Sequence, residues 1–242
     1  MTRITSEAMR KEDIIVALGT AHEAYTPGKG SPDGRFREPR YSREVLIEVE
    51  AILKGYGIRS FIDYLPMEPR KEWRSTDWRK EQSRELAWRT SFVNGLCERY
   101  GKENVIYVSL HNDAAGADGK WHTSGGFSVW TTKGTTKADA LAECIYDAAD
   151  RNLIYYKACF DELQRKGGYG KNQKPIRMDK SDGDRDWEAG LYVLKNTKCA
   201  AVLVEAMFQD NKYDVAFLLS DEGRHAISRI IVEGIIKYIE SL

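Results

Sequence analysis

Apolar residues along this chain fall into short unbroken runs separated by longer stretches with one greasy stripe. The first run is Ile14-Ile15-Val16-Ala17-Leu18-Gly19, the second Val105-Ile106-Tyr107-Val108-Ser109-Leu110, and the third Ala200-Ala201-Val202-Leu203-Val204. Runs of this length predict strands buried on both faces. Residues 58–65 and 125–130 read as two more strands, and a short apolar run at 191–194 precedes the third. The stretches between them carry helical spacing. Val45, Val49, Ile52 and Leu53 form a stripe over residues 41–55, which Gly55 and Gly57 terminate. A second amphipathic helix is expected at 83–100, two helical segments at 135–165, and a last helix carrying Ile227, Ile230, Ile231, Ile235, Ile236 and Ile239. Alternating strands and helices predict an α/β fold: one domain, with a twisted, mostly parallel or mixed sheet of about six strands and helices on both faces.

Three polar stretches interrupt this order. Residues 23–40 hold Pro27, Gly28, Gly30, Pro32, Gly34 and Pro39, a density that marks a long irregular loop. Residues 66–82 set Trp73 and Trp78 among many charges. They read either as a solvated approach to the next helix or as an aromatic, basic rim over a cleft. Residues 166–188 are rich in Gly, Lys and Asp and form another long loop. Residues 1–12 are polar and read as a lead-in, which leaves 13–242 as the domain.

Composition narrows the class. The chain has 242 residues, 42% hydrophobic and 31% charged, enough for one well-packed core. Lys plus Arg and Asp plus Glu both number 37, so the net charge is zero and no whole-chain field favours nucleic acid. The four cysteines, Cys97, Cys144, Cys159 and Cys199, form no C-x-x-C pair and no disulfide framework. The N-terminus shows no apolar signal-peptide core, and no run reaches the ~18 apolar residues of a membrane span.

The ends of the three buried strands carry the chemistry. The first runs into Thr20-Ala21-His22, the second into His111-Asn112-Asp113, the third into Glu205. In open α/β sheets, ligand and catalytic groups collect just beyond the carboxyl ends of strands. Only four histidines exist, His22, His111, His122 and His225, and two of them sit at such ends. Catalytic zinc takes three protein ligands, often two His and a carboxylate, and leaves a position open for water. The pattern points to a metal hydrolase.

In order, the chain shows His22 after a strand, a Gly-rich loop to Glu38, Ser109-Leu110-His111-Asn112-Asp113, Gly125 to Trp130, and Val202-Leu203-Val204-Glu205 followed by Ala206 to Asn211. This succession resembles the zinc-dependent N-acetylmuramoyl-L-alanine amidases of the type 3 catalytic family, found in bacterial cell-wall hydrolases and phage endolysins. The resemblance spans roughly residues 13 to 240. It implies cleavage of the amide between N-acetylmuramic acid and L-alanine of the peptidoglycan stem peptide. In that mechanism zinc-bound water attacks and Glu205 serves as general acid/base.

Carried over position by position, the resemblance makes His22 and His111 ligands of a single zinc ion. Glu38 is the third ligand, with Glu44 as the alternative. Arg177 and Asn112 become substrate-binding candidates; for His122 and His225 an ordinary structural place is expected. The chain departs from the family where Gly-His-Gly becomes Ala21-His22-Glu23, where Ser42 replaces an Asn, and where Ala206-Met207 replaces the Gly after the catalytic Glu. The implied substrate is peptidoglycan or a muropeptide, the implied state a monomer without nucleic acid or membrane insertion. The implied place of action is the bacterial wall, reached through a holin if phage-encoded or by export otherwise. A peptidase trimming stem peptides and a silent wall-binding module are the competing readings.

Overall fold

The structure is a computed structural model, and it describes residues 13–242. The lead-in expected at 1–12 lies outside them. Among the described residues there are six strands and seven α-helices. They run β1 (Ile15–Gly19), α1 (Glu38–Gly55), β2 (Arg59–Ile62), α2 (Trp78–Tyr100), β3 (Val105–Asp113), β4 (Ser128–Thr131), α3 (Lys137–Asn152), α4 (Ile154–Arg165), β5 (Trp187–Glu188), α5 (Tyr192–Asn196), β6 (Ala200–Phe208), α6 (Lys212–Leu218) and α7 (Asp221–Ser241). The strands form one sheet in the order β2-β1-β3-β6-β4-β5. The pairs β2–β1, β1–β3 and β3–β6 are parallel, β4 runs antiparallel to β6, and β5 runs parallel to β4. The expected mixed sheet with helices on both faces is therefore what forms.

Side-chain alternation along each strand divides the interior in two. Val16, Leu18, Ile106, Val108, Val202 and Val204 face the larger core, which α1, α3 and α7 cover. Ile15, Ala17, Val105, Tyr107, Ala201 and Leu203 face the smaller one, beneath α2 and α5. This division sets the site. His111 continues the Val105–Tyr107 side and Glu205 continues the Ala201–Leu203 side. The register pairs them directly across β3 and β6. Gly19 closes β1 on the smaller core, where a Cβ would lie 2.2 Å from the Tyr107 hydroxyl, so the chain needs glycine there.

Four details differ from expectation. The run at 191–194 folds into the short helix α5, and the sixth strand is Trp187–Glu188 instead. Helix α1 starts at Glu38 rather than at residue 41, because Arg37 is extended and Pro39 sits in the first helical turn, where its missing N–H costs nothing. Helix α2 starts at Trp78, capped by the Asp77 carboxylate, which accepts from Arg79 N. The 66–82 segment is also less open than an exposed rim. Trp73 is 2% exposed, packed against Tyr64 and Trp88, and Arg70 lies 4.2 Å above the Trp88 ring. Trp78 alone of its two tryptophans stays substantially exposed.

Candidate metal centre

Beyond Gly19 the chain leaves the sheet as Thr20-Ala21-His22, and four backbone groups of that turn are held by side chains. Thr20 N donates to Asp63 Oδ1 at 2.9 Å and Ala21 N donates to Ser42 Oγ at 2.9 Å. The buried Arg43 guanidinium donates to the Ala21 carbonyl at 2.9 Å and to the His22 carbonyl at 3.0 Å. His22 itself has φ +39°, a left-handed backbone that a non-glycine residue keeps only where its surroundings enforce it. Ser42 and Arg43, both on α1, supply that enforcement.

Glu38 opens α1, where a carboxylate is favoured by the exposed N–H groups of the first turn. It is 1% exposed. Its Oε1 accepts from Asn112 N at 3.1 Å and lies 3.0 Å from His111 Nδ1 and 3.5 Å from His22 Nε2. Its Oε2 is buried without a hydrogen-bond partner, and Lys29 Nζ stands 3.9 Å away. Burial alone pushes this carboxyl up, but His22 and His111 more than offset it and hold it well below the usual carboxylate range. Burial also holds His111 below the usual imidazole range, which leaves a ring nitrogen lone pair free. The two imidazoles meet edge to face with centroids 4.9 Å apart. One ligand atom from each of His22, Glu38 and His111 lies within 4.8 Å of the others. Two ring nitrogens, one carboxylate oxygen and an orphaned second oxygen make a donor set that fits zinc with one position left open. Among the described residues no other cluster of this kind occurs.

The cluster opens into a cavity of about 350 Å³ whose wall includes Glu205, Lys29, Leu86, Arg89 and Tyr192. Glu205 Oε2 is buried and has no hydrogen-bond partner. Burial, with Asp113 and Glu38 nearby, raises its carboxyl well above the ordinary range. A hollow of about 550 Å³ at the other end of the strands, beside Lys102, Lys137 and Lys198, contains none of these ligands.

The remaining sequence candidates lie at the margin of the cluster or away from it. Glu44 points into solvent and pairs with Arg40 at 2.8 Å. Asn112 lies one residue past His111, so its side chain turns to the opposite side of the strand and Nδ2 donates to the Ala206 carbonyl. Arg177 donates from Nη2 to Asp113 Oδ2 and to Ser128 Oγ, each at 2.7 Å, and lies 4.5 Å over the Phe208 ring at the edge of the site. His122 bonds Asp118 within its own loop at 2.9 Å, and His225 reaches Glu48 on α1 at 2.7 Å. Lys29, Arg43 and Arg89 escaped the sequence reading. Lys29 lay in the Gly-rich loop without a periodic signal, and each arginine, besides one partner four residues back, reaches partners 20 or more residues away.

A family model described as N-acetylmuramoyl-L-alanine amidase matches residues 16–237. The chain belongs to that family. It is thus an amidase, a hydrolase of the kind that acts on cell-wall peptidoglycan. Solved structures share the fold at low identity. The CwlD amidase of Clostridioides difficile, in complex with the GerS lipoprotein, is 17% identical with a TM-score of 0.68, over 95% of this chain and 100% of that one. The N-acetylmuramyl-L-alanine amidase Ami1 of Mycobacterium smegmatis is 17% identical with a TM-score of 0.67, over 97% and 100%. The catalytic domain of the CD27L endolysin targeting Clostridia Difficile is 18% identical with a TM-score of 0.56, over 93% and 97%. No curated protein matches the chain.

The amidase accommodates its departures from the family pattern in the backbone. Met207, standing where the pattern has Gly, adopts φ +66° beside a register shift between β3 and β6. That conformation costs a non-glycine residue about 1–2 kcal/mol. Glu23, standing where the second Gly would be, is 2% exposed with both carboxylate oxygens unpartnered.

Proposed function

We propose that residues 13–242 act as one catalytic domain that hydrolyses the amide joining N-acetylmuramic acid to L-alanine of the stem peptide, with His22, Glu38 and His111 holding a single zinc ion. The observation that carries this reading is the Glu205 carboxyl, whose buried Oε2 has no hydrogen-bond partner and which sits beside a three-donor cluster at the ends of adjacent strands. The chemistry such an ion supplies when bound is Lewis-acid activation of a water and of the scissile carbonyl. The chain does the rest. Glu205 takes the proton of the attacking water on its carboxylate and returns one to the nitrogen of the departing L-alanine. Glu38 anchors both imidazoles, so their ring nitrogens converge before any ligand arrives. Leu86 and the α5 residues Tyr192 and Val193 wall the cleft. Arg177 braces Asp113 and Ser128 at the margin, where it can meet the glycan or the peptide.

All four groups come from one protomer, so a monomer suffices. No helix among the described residues is long and apolar enough to cross a membrane. Acting on the wall then requires passage by a holin-type pore or by export. The test is product analysis on purified peptidoglycan. Release of peptides with a new L-alanine amino terminus, abolished by chelation and restored by zinc, is the expected result. Shortened peptides that remain attached to muramic acid would overturn the reading in favour of a peptidase.

A further inference from the structure

The loop leading into β5 reads Asp182-Gly183-Asp184-Arg185-Asp186. Arg185 turns outward to α3, where its guanidinium reaches Glu143 Oε2 at 2.8 Å, Asp147 Oδ1 at 2.5 Å and Asp150 Oδ2 at 3.2 Å. Its neighbours go elsewhere. Asp186 turns inward against β4, where the Thr131 hydroxyl donates to its Oδ2. Asp184 lies with it, the two carboxyl groups within hydrogen-bonding reach of each other. Asp186 is 1% exposed, yet its Oδ1 has no hydrogen-bond partner. Asp184 Oδ1 is buried and partnerless as well.

Two buried carboxylate oxygens cannot face one another bare, because each needs a donor or a cation. Asp139 at the start of α3 adds negative charge to both, while its own oxygens are engaged by the Thr136 hydroxyl and amide at 2.8 and 2.7 Å. Asp182, exposed at the loop tip, adds another negative charge beside Asp184. Burial first, and then the neighbouring Asp184 charge, pushes the Asp186 carboxyl up to about 7 against the lowering effect of the Thr131 hydroxyl. A single shared proton would answer one of these charges and leave the others.

We propose that Asp184 and Asp186 bind one hard divalent cation, of the calcium class, through their partnerless Oδ1 atoms. The donors are all oxygen, which suits calcium and not the nitrogen-rich preference of zinc. With only two carboxylates and water completing the shell, the affinity belongs in the weak range, about 10⁻⁴–10⁻³ M. The cation would fasten residues 177–186 between β4 and α3, and with them Arg177 at the margin of the catalytic cleft.

The test uses terbium(III) as a calcium analogue on the full chain, with one equivalent of zinc present to occupy the histidine cluster. Trp187 follows Asp186 directly and its ring lies 5.6 Å from that of Trp130, so indole excitation should sensitise a bound terbium ion. Saturable emission that millimolar calcium displaces is expected. Asp184→Asn and Asp186→Asn, checked for folding by circular dichroism, should each lose roughly tenfold or more of that emission. Calcium should also raise the Tm of the wild type and not of either variant. Emission that survives in both folded variants would overturn the proposal. So would its absence in the wild type, above all if Asp186→Asn raised the Tm, which would assign the pair to a shared proton.

Discussion

The two faces of the sheet are built from the same strands by opposite means. Beneath α1, α3 and α7 the filling is mainly apolar, with Val16, Leu18, Val108, Val204, Ile230 and Ile231 fully buried. Beneath α2 the filling includes charge. Arg89, 2% exposed, sits between Asp63 and Glu85, with Nη1 also donating to the Thr20 hydroxyl at 2.8 Å. Apolar burial stabilises without direction. A buried ion cluster stabilises little compared with apolar filling, but it fixes orientation, and removing one partner is costly. The charged face is the one from which His111 and Glu205 project, and Thr20 stands two residues before His22. The charges beneath α2 are therefore architecture for the site, and the apolar face is the ballast that lets the fold carry them.

The largest expected effect tests the site itself. Glu205→Gln should lower kcat/KM by about 10²–10⁴-fold, the usual contribution of a general acid-base, while zinc content by elemental analysis stays at that of the wild type. Activity near the wild-type level would remove Glu205 from the mechanism. Glu38→Gln should weaken zinc binding by at least about 100-fold, since even second-shell losses cost 10–100-fold. Glu44→Gln, on an exposed carboxylate, should leave metal affinity and stability within about 0.5 kcal/mol of wild type. A reversal of that pair would move the third ligand along α1.

The comparison of faces is sharpened by one variant on each. Ile231→Ala should cost about 2–5 kcal/mol in denaturant unfolding and leave zinc affinity unchanged. Arg89→Met should cost about 3–5 kcal/mol, because Asp63 and Glu85 are left uncompensated. It should also weaken zinc binding, because Thr20 loses its support. If Arg89→Met lowered stability without touching metal affinity, the charged cluster would be ordinary interior and not part of the site.

These expectations also show what is readable in a linear chain. Strand positions were legible because apolar runs are local, and the site followed because alternation carries the last residue of each run onto a known face. Glu38 was reached only through the family resemblance, with Glu44 beside it as the alternative. Three things had no local signal. β5 is two residues long, too short for any period. The run 191–194 is apolar on any reading, and only packing under α2 makes it helical. Arg43 and Arg89 reach backbone and carboxylate partners on other elements, and the local Glu85–Arg89 spacing reads equally well as a solvated i,i+4 pair, so nothing beside them in the chain marks them as buried. The alternating aspartates at 182–186 were visible as loop composition, but their burial against Thr131 was not.

The smallest expected effect uses charge again, now at the rim of the apolar face. Lys237 on α7 donates to Asp147 on α3, which also meets Arg185. The Lys237 ammonium is the largest influence holding the Asp147 carboxyl below its ordinary value of 3.8. A lowered folded-state pKa means the pair's stabilisation is present above about that ordinary value and fades as pH falls through the folded one. Both side chains are more than a third exposed, so the benefit at neutral pH should stay within about 1 kcal/mol and shrink in high salt. Lys237→Met should therefore lower stability slightly at neutral pH and match the wild type in acid. Arg89→Met, whose charges have no water to fall back on, should lose far more at neutral pH and respond little to salt. A cost for Lys237→Met equal to that of Arg89→Met would mean that burial does not govern the worth of charge in this fold, and the distinction between the two faces would fail.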